Sequence, residues 1–176
     1  IVVDMQKGFL EPEGTLYCGD EARRIIEPVR RRVEHEKAQG AAVFFTQDTH
    51  VPDDREFDMF PPHCIEGSGE EFVIDELADL AAEAVAVKKR RYSAFFETDL
   101  AHRLAVLAPE EVIVMGDCTD ICVLHTVAGL RNRDYVVEVP ADCVASFDPE
   151  AHKYALQHME KILGVTLVEP AASGGR

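Results

Sequence analysis

What most constrains this chain is a repeated alternation of two kinds of segment. Short apolar, β-branched runs alternate with longer stretches whose apolar residues recur at helical spacing. Residues 1–5, 41–46 ("AAVFFT"), 84–87, 111–115, 135–139 and 165–168 read as strands. Residues 21–39 carry apolar side chains at 22, 25, 26, 29 and 33 and read as a helix, with Pro28 either kinking it or lying in its first turn. Further helices are expected over 71–82, 99–107, 119–132 and 149–163. This is β-α repeated about six times. Strands that are apolar along their whole length are buried on both faces, which requires a parallel sheet with helices on each side. Right-handed crossovers then predict a doubly wound α/β fold, a three-layer α/β/α sandwich with a six-stranded parallel sheet.

A chain of 176 residues, 47% of them hydrophobic, can bury one sizeable core. One domain is expected over 1–170, followed by a tail at 171–176 ("AASGGR"). The formal charge of -15 disfavours nucleic acid and anionic membrane surfaces as partners, since both need a basic face. No apolar run reaches the length of a membrane span, and no signal-peptide pattern is visible. The opening "IVVDMQ" lies inside a strand without an initiator Met, which reads as a trimmed start. Five scattered cysteines are not the framework of a small secreted domain, so a reducing, cytoplasmic setting is expected.

On open α/β sheets, sites lie outside the carboxyl ends of strands. The first apolar run stops at Asp4, and the second at Asp48 with His50 just beyond. The third ends in "KKRRY" (88–92), and the fourth at Gly116, ahead of 119–122. A carboxylate, an Asp-x-His pair, a lysine and a cysteine therefore arrive at one edge, and an active site explains their company better than chance does.

In "GDCTDICVLHT" (116–126), Thr119 suits an N-cap and Asp120 the first helical turn. Cys122 would then sit near unpaired backbone N–H groups, a position that favours thiolate and offers an oxyanion hole. Asp4 would serve as base and Lys89 as its electrostatic partner. Packing of Cys118 and Cys122 as small core residues fits the same position. A metal clip between them is weak without a second pair, and a disulfide is poorly placed in a reducing setting. The loop "QDTHVPDDREFDMFPPHC" (47–64) offers Asp48, His50, Glu56 and His63, donors that suit zinc, iron or manganese. A solvated acidic loop is the alternative. Phe9, Phe60 and Tyr92 are the aromatic candidates for a pocket wall.

These residues carry a resemblance. "VVDMQKGF", "QDTH", "FPPHCIEGS", "KRRYSAF", "TDICVLHT" and "LGVTLVE" together resemble the nicotinamidase/pyrazinamidase branch of the isochorismatase-like cysteine hydrolases, over essentially the whole chain. "VVDMQ" and "TD-x-CV" mark the wider, Rossmann-like superfamily, while the metal loop and "FPPH" mark the branch. The resemblance implies Asp4, Lys89 and Cys122 as catalytic triad, with Lys89 rather than Lys88 because it stands three before the tyrosine of "YSAF". It implies Asp48, His50 and His63 as ligands of one divalent metal ion, zinc first and iron or manganese as alternatives, with Glu56 as a fourth ligand found in some members. It implies Phe9, Phe60 and Tyr92 around a pyridine ring, the backbone N–H groups of Cys118 and Cys122 as oxyanion hole, and a cis peptide between Asp117 and Cys118. The activity implied is nicotinamide hydrolysis in NAD salvage, with pyrazinamide as a further substrate and a homo-oligomer as a common assembly. Asp117 departs from the pattern, where an apolar residue is usual. Its carboxylate either turns outward or raises the thiol pKa by like-charge repulsion. The nearest rival is an amidase of the same superfamily acting on a carbamoyl or ureido group, without the metal site. A catalytically silent binding module is a second rival. A dinucleotide-binding oxidoreductase is a third, and the first βα turn lacks its G-x-G-x-x-G spacing.

Overall fold

Neighbouring residues of a strand face opposite sides of its sheet, and in this chain such neighbours feed two separate cores. The computed structural model describes residues 1–169; the expected tail at 171–176 lies outside the described residues. Val2, Phe45 and Met115 join one apolar cluster, while Val3, Phe44 and Val114 join the other. The first cluster is closed by Ala22, Ile25, Val29, Val33, Leu77 and Leu80, and the second by Leu100, Leu104, Val127, Leu130 and Met159. A parallel sheet with a helical layer on each side follows, which is the expected three-layer sandwich.

The strands are β1 (Val2–Val3), β2 (Phe44–Asp48), β3 (Val85–Lys89), β4 (Val112–Ile113), β5 (Met115–Asp117), β6 (Val137–Pro140), β7 (Val144–Ala145) and β8 (Thr166–Val168). The helices are α1 (Lys7–Leu10), α2 (Asp20–Arg23), α3 (Ile26–Ala38), α4 (Ala78–Ala82), α5 (Leu100–Leu107), α6 (Leu124–Arg131) and α7 (Pro149–Lys161). All named strand pairs are parallel. Hydrogen bonding groups them as β3-β2-β1-β5-β7 and β4-β6-β8. The expected six runs of chain are present, but the fourth is broken in two and a short strand that was not expected, β7, follows the fifth. Val114 separates β4 from β5, and a 3-10 turn over Ala141–Cys143 separates β6 from β7. At the fourth run's end the chain passes Gly116 at φ +118°, where an added Cβ would lie 2.0 Å from the Val3 carbonyl oxygen. Glycine lets the strand come that close to β1.

Other boundaries move for local reasons. The helix expected over 21–39 is split into α2 and α3. Pro28 lies in the first turn of α3, and its ring excludes a helical carbonyl four residues earlier, at Arg24. The strand expected over 41–46 starts at Phe44, because Ala41 and Ala42 are exposed and burial begins later. The helix expected over 71–82 shrinks to a 3-10 turn and α4, because Glu71 closes the preceding loop instead, accepting from the Gly67 and Gly69 amides at 2.6 and 2.7 Å. Among the described residues no helix is long and apolar enough to cross a membrane.

Candidate active site

Four strand ends meet as the sequence pattern implies, and their register explains the contacts. Asp48 and Lys89 are the last residues of β2 and β3 and stand directly side by side. Alternation then separates the two lysines: Lys89 is buried, while Lys88 points outward to Glu66 at 3.0 Å. The Lys89 ammonium lies 2.6 Å from Asp4 Oδ2, 2.5 Å from Asp48 Oδ1 and 3.5 Å from Cys122 Sγ. Asp4 follows β1 at φ +48°, a left-handed conformation that aspartate tolerates better than most residues. Its position is fixed by Thr46, whose hydroxyl donates to Asp4 Oδ1 at 2.6 Å and accepts from the Asp4 amide at 3.2 Å. Carboxylate oxygens of Asp4 and Asp48 and the Cys122 sulfur lie within 4.8 Å of one another.

One buried cation among two carboxylates and a thiol sets the protonation states. Burial works against charge on Lys89, but the facing Asp4 and Asp48 outweigh it and hold the ammonium protonated. Burial raises Asp4, with Lys89 opposing, so the carboxylate is a stronger base than an exposed one. The expected activation of Cys122 by a helix end is not found. Burial pushes its thiol well up, against the pull of Lys89. The reason is local: residues Thr119–Val123 form a π turn, and Cys122 is 7% exposed at its inner side. Nor is Thr119 a cap. Its hydroxyl meets His152 Nδ1 at 2.8 Å, and the carboxylate of Asp120 accepts from Ser146 at 2.5 Å. The Asp117–Cys118 peptide is cis.

The loop after β2 is ordered rather than loosely solvated. His50 bridges to Ile65 with bonds of 3.0 and 2.9 Å through Cys64 and Glu66, and a 3-10 turn, Arg55–Asp58, is capped by Asp54. Asp48, His50, Glu56 and His63 are all buried, and their donor atoms lie within 4.8 Å of one another. His63 Nδ1 faces the Pro61 carbonyl at 2.8 Å, which only accepts, so the proton sits there and Nε2 is free. His50 Nδ1 faces the Asp54 carboxylate at 3.1 Å with the same consequence. His50 Nε2 and Glu56 Oε2 are buried without a hydrogen-bond partner. Burial, helped by the charge of Asp48, raises Glu56 to about 7. Two imidazole nitrogens and two carboxylates aimed at one point fit a divalent cation of the zinc, iron or manganese kind.

Phe9, Phe60 and Tyr92 line the cavity that reaches Cys122, together with Asp4, Asp48 and His63; its volume is about 380 Å³, which suits a small ring compound. Phe60 and Tyr92 stand nearly perpendicular, 6.4 Å between centroids. Four supporting residues escape sequence reasoning. Thr46 is hidden inside an apolar run. Gln6 clamps the second strand end, donating to the Asp48 and Glu71 carbonyls at 2.8 Å and accepting from the Asp48 amide at 2.7 Å. Asp54 orients His50 and is held at a pKa of about 2: burial raises it, and the Glu56 amide, His50 and Arg91 outweigh that. Phe57 packs against both imidazoles, 5.3 and 5.7 Å from them. Only Gln6 left a signal, as a polar residue two places beyond Asp4, where the first apolar run stops.

Known proteins share this arrangement of chain. The isochorismatase domain pattern matches residues 1–169. The chain is 33% identical to the isochorismatase family protein PncA of Bacillus subtilis, covering 96% of this chain and 97% of that one. It superposes on the pyrazinamidase/nicotinamidase of Streptococcus mutans with a TM-score of 0.91 at 34% identity, covering 95% and 97% of the two chains. A pyrazinamidase of Pyrococcus horikoshii in complex with zinc gives 0.86 at 31% identity, covering 96% and 97%. Matched from end to end in sequence and in backbone, this chain is a hydrolase of the isochorismatase family.

Proposed function

We propose that this chain is a metal-dependent amidase that hydrolyses nicotinamide to nicotinate and ammonia through a thioester on Cys122. The observation that carries the reading is that Asp4 and Cys122, both in contact with the buried Lys89, line one cavity with Asp48, Glu56 and His63, whose donor atoms cluster with that of His50 behind them. The cavity's aromatic wall suits a flat ring, and pyrazinamide, with a ring nitrogen in the same place, is accepted too. Asp48, His50, Glu56 and His63 would hold the cation, with zinc first and iron or manganese as alternatives. When bound, it supplies a Lewis acid for the pyridine nitrogen, an anchor rather than a source of hydroxide.

The buried thiol starts protonated, so a base must act in the same step. Asp4 takes the Cys122 proton as the sulfur bonds to the amide carbon. The backbone N–H groups of Cys118 and Cys122 hold the developing oxyanion. Asp4 passes the proton to the amide nitrogen, the C–N bond breaks and ammonia leaves. Asp4 then takes a proton from water as the water oxygen bonds to the thioester carbon. The C–S bond breaks, nicotinate leaves, and the proton returns to the sulfur. Lys89 favours the charged form of Asp4 before each proton is taken and keeps Asp48 charged throughout.

Ammonia release from nicotinamide, measured with and without chelator, tests the reading. Activity that chelation abolishes and zinc restores is expected. Unchanged kinetics in the metal-free protein would remove the anchoring role, and no turnover of nicotinamide at any metal loading would favour a carbamoyl or ureido substrate. A second measurement concerns Asp54. Asp54→Ala removes the group that orients His50, and outer partners of this type are worth about 10–100-fold in metal affinity. Zinc titration of the apoprotein should show that weakening, with kcat recovered at saturating zinc. Wild-type zinc affinity in the variant would mean that His50 is not a ligand.

A further inference from the structure

The side chains of one buried cluster take no part in this chemistry. Cys18, from the turn before α2, meets Cys118 across the cavity wall with their sulfurs 3.3 Å apart, and Asp117 lies beside them. Donor atoms of all three fall within 4.8 Å of one another. Asp117 is 1% exposed, and both its carboxylate oxygens are buried with no hydrogen-bond partner. The residue does not turn outward, as one expectation for it had it. The Cys18 contact and burial are the leading influences that raise Cys118, whereas burial and the charges of Lys89, Asp4 and Asp48 lead at Cys122.

We propose that Cys18, Asp117 and Cys118 form a second metal site, selective for a thiophilic divalent cation such as zinc or cadmium. Two sulfurs and a carboxylate are a soft donor set, unlike the His/carboxylate set of the first site. The spacing favours a metal over a disulfide. Tetrahedral zinc with bonds of about 2.3 Å holds two sulfurs roughly 3.7 Å apart, while a disulfide holds them at about 2.0 Å. From 3.3 Å, the first needs a shift of a few tenths of an ångström and the second more than an ångström. A cation also pairs with the two unpartnered Asp117 oxygens, which a disulfide leaves as they are. Three protein ligands leave a fourth position open to the cavity that holds Cys122. Binding displaces the protons of both thiols and of the Asp117 carboxyl, which burial pushes well up in the absence of a cation.

Cobalt(II) titration of the apoprotein tests the site, because only thiolate ligands give an intense near-ultraviolet sulfur-to-cobalt band. The expected result is a second equivalent of bound cobalt that brings in this band, displaced by zinc or cadmium. Cys122→Ala should keep the band, and Cys18→Ser and Asp117→Asn should each lose it or weaken cobalt binding at least tenfold. Retention of the first, sulfur-free equivalent in those variants shows that they are folded. No charge-transfer band at excess cobalt would overturn the proposal and leave Asp117 as a protonated buried acid. A band that disappears with Cys122→Ala but survives Cys18→Ser would overturn it as well, by moving the thiolate ligand to the candidate nucleophile.

Discussion

Replacing Cys122 with alanine is expected to lower kcat for nicotinamide by about 10⁴-fold or more, the scale seen when a covalent nucleophile is removed. The neighbouring substitution Cys118→Ala is expected to cost no more than about tenfold. Both side chains are small, buried and separated by one turn of chain, so packing alone predicts similar effects for the two. The proposed chemistry predicts dissimilar ones, because it uses the sulfur of Cys122 and only the backbone N–H of Cys118. Cys122→Ala should keep its metal content and its unfolding midpoint close to wild type. The thiol contacts Lys89 at 3.5 Å, and Lys89 retains its two carboxylate partners without it. Steady-state ammonia release with zinc-loaded protein separates the cases. Near-normal turnover in Cys122→Ala would end the thioester mechanism, and equal losses in the two variants would reassign the effect to packing. Trapping adds a check on the intermediate: rapid quenching of wild type with substrate should leave an acid-stable acyl adduct on Cys122.

Much of this site is legible in the sequence because parallel sheets deliver strand ends to one edge. Asp4, Asp48, Lys89 and Gly116 close apolar runs, and the fold brings those ends together. What is not legible has particular causes. The π turn at 119–123 has the same letters as an ordinary helix start, so Thr119 reads as a cap although it bonds His152. The direction of the Cys122 shift depends on burial, which competes with the cationic neighbour and wins; spacing carries no measure of that contest. The strand break at Val114 comes from exchanging partners, with its amide bonded to Glu138 while that of Met115 bonds to Ile1. Cys18 and Cys118 are 100 residues apart, and no local pattern joins them. The acidic loop was ambiguous for a related reason: its exposed Asp53 and Asp58 and its buried Asp54 and Glu56 have the same composition and opposite surroundings.

The other large effect is expected at Lys89, and its neighbour supplies the control. Lys89→Met removes the ammonium that contacts both Asp4 and Asp48 and leaves two buried carboxylates facing each other. Removing one partner from a buried ion pair costs about 3–5 kcal/mol, because the remaining charge loses its compensation without regaining water. Methionine nearly matches the lysine stem in volume, so a cavity adds little. For a chain of this length, a loss of that size lowers the unfolding midpoint by roughly 6–20 °C. Lys88→Met, one residue earlier, removes only an exposed pair in which both side chains are more than half exposed, and its midpoint should be indistinguishable from wild type. The sign of the pH dependence follows from the same charges. The folded-state pKa of Lys89 is raised by its carboxylates, so its stabilisation is fully present below the ordinary lysine value and is lost only as the pH climbs through the raised one. At neutral pH the wild type therefore keeps all of it and the variant none. Denaturant unfolding at neutral pH, with both proteins in chelator so that metal binding does not enter, measures the difference directly. Matching midpoints for Lys89→Met and wild type would show that one of the two carboxylates already carries a proton. The charge arrangement assigned to Asp4, and with it its service as the base, would then be wrong.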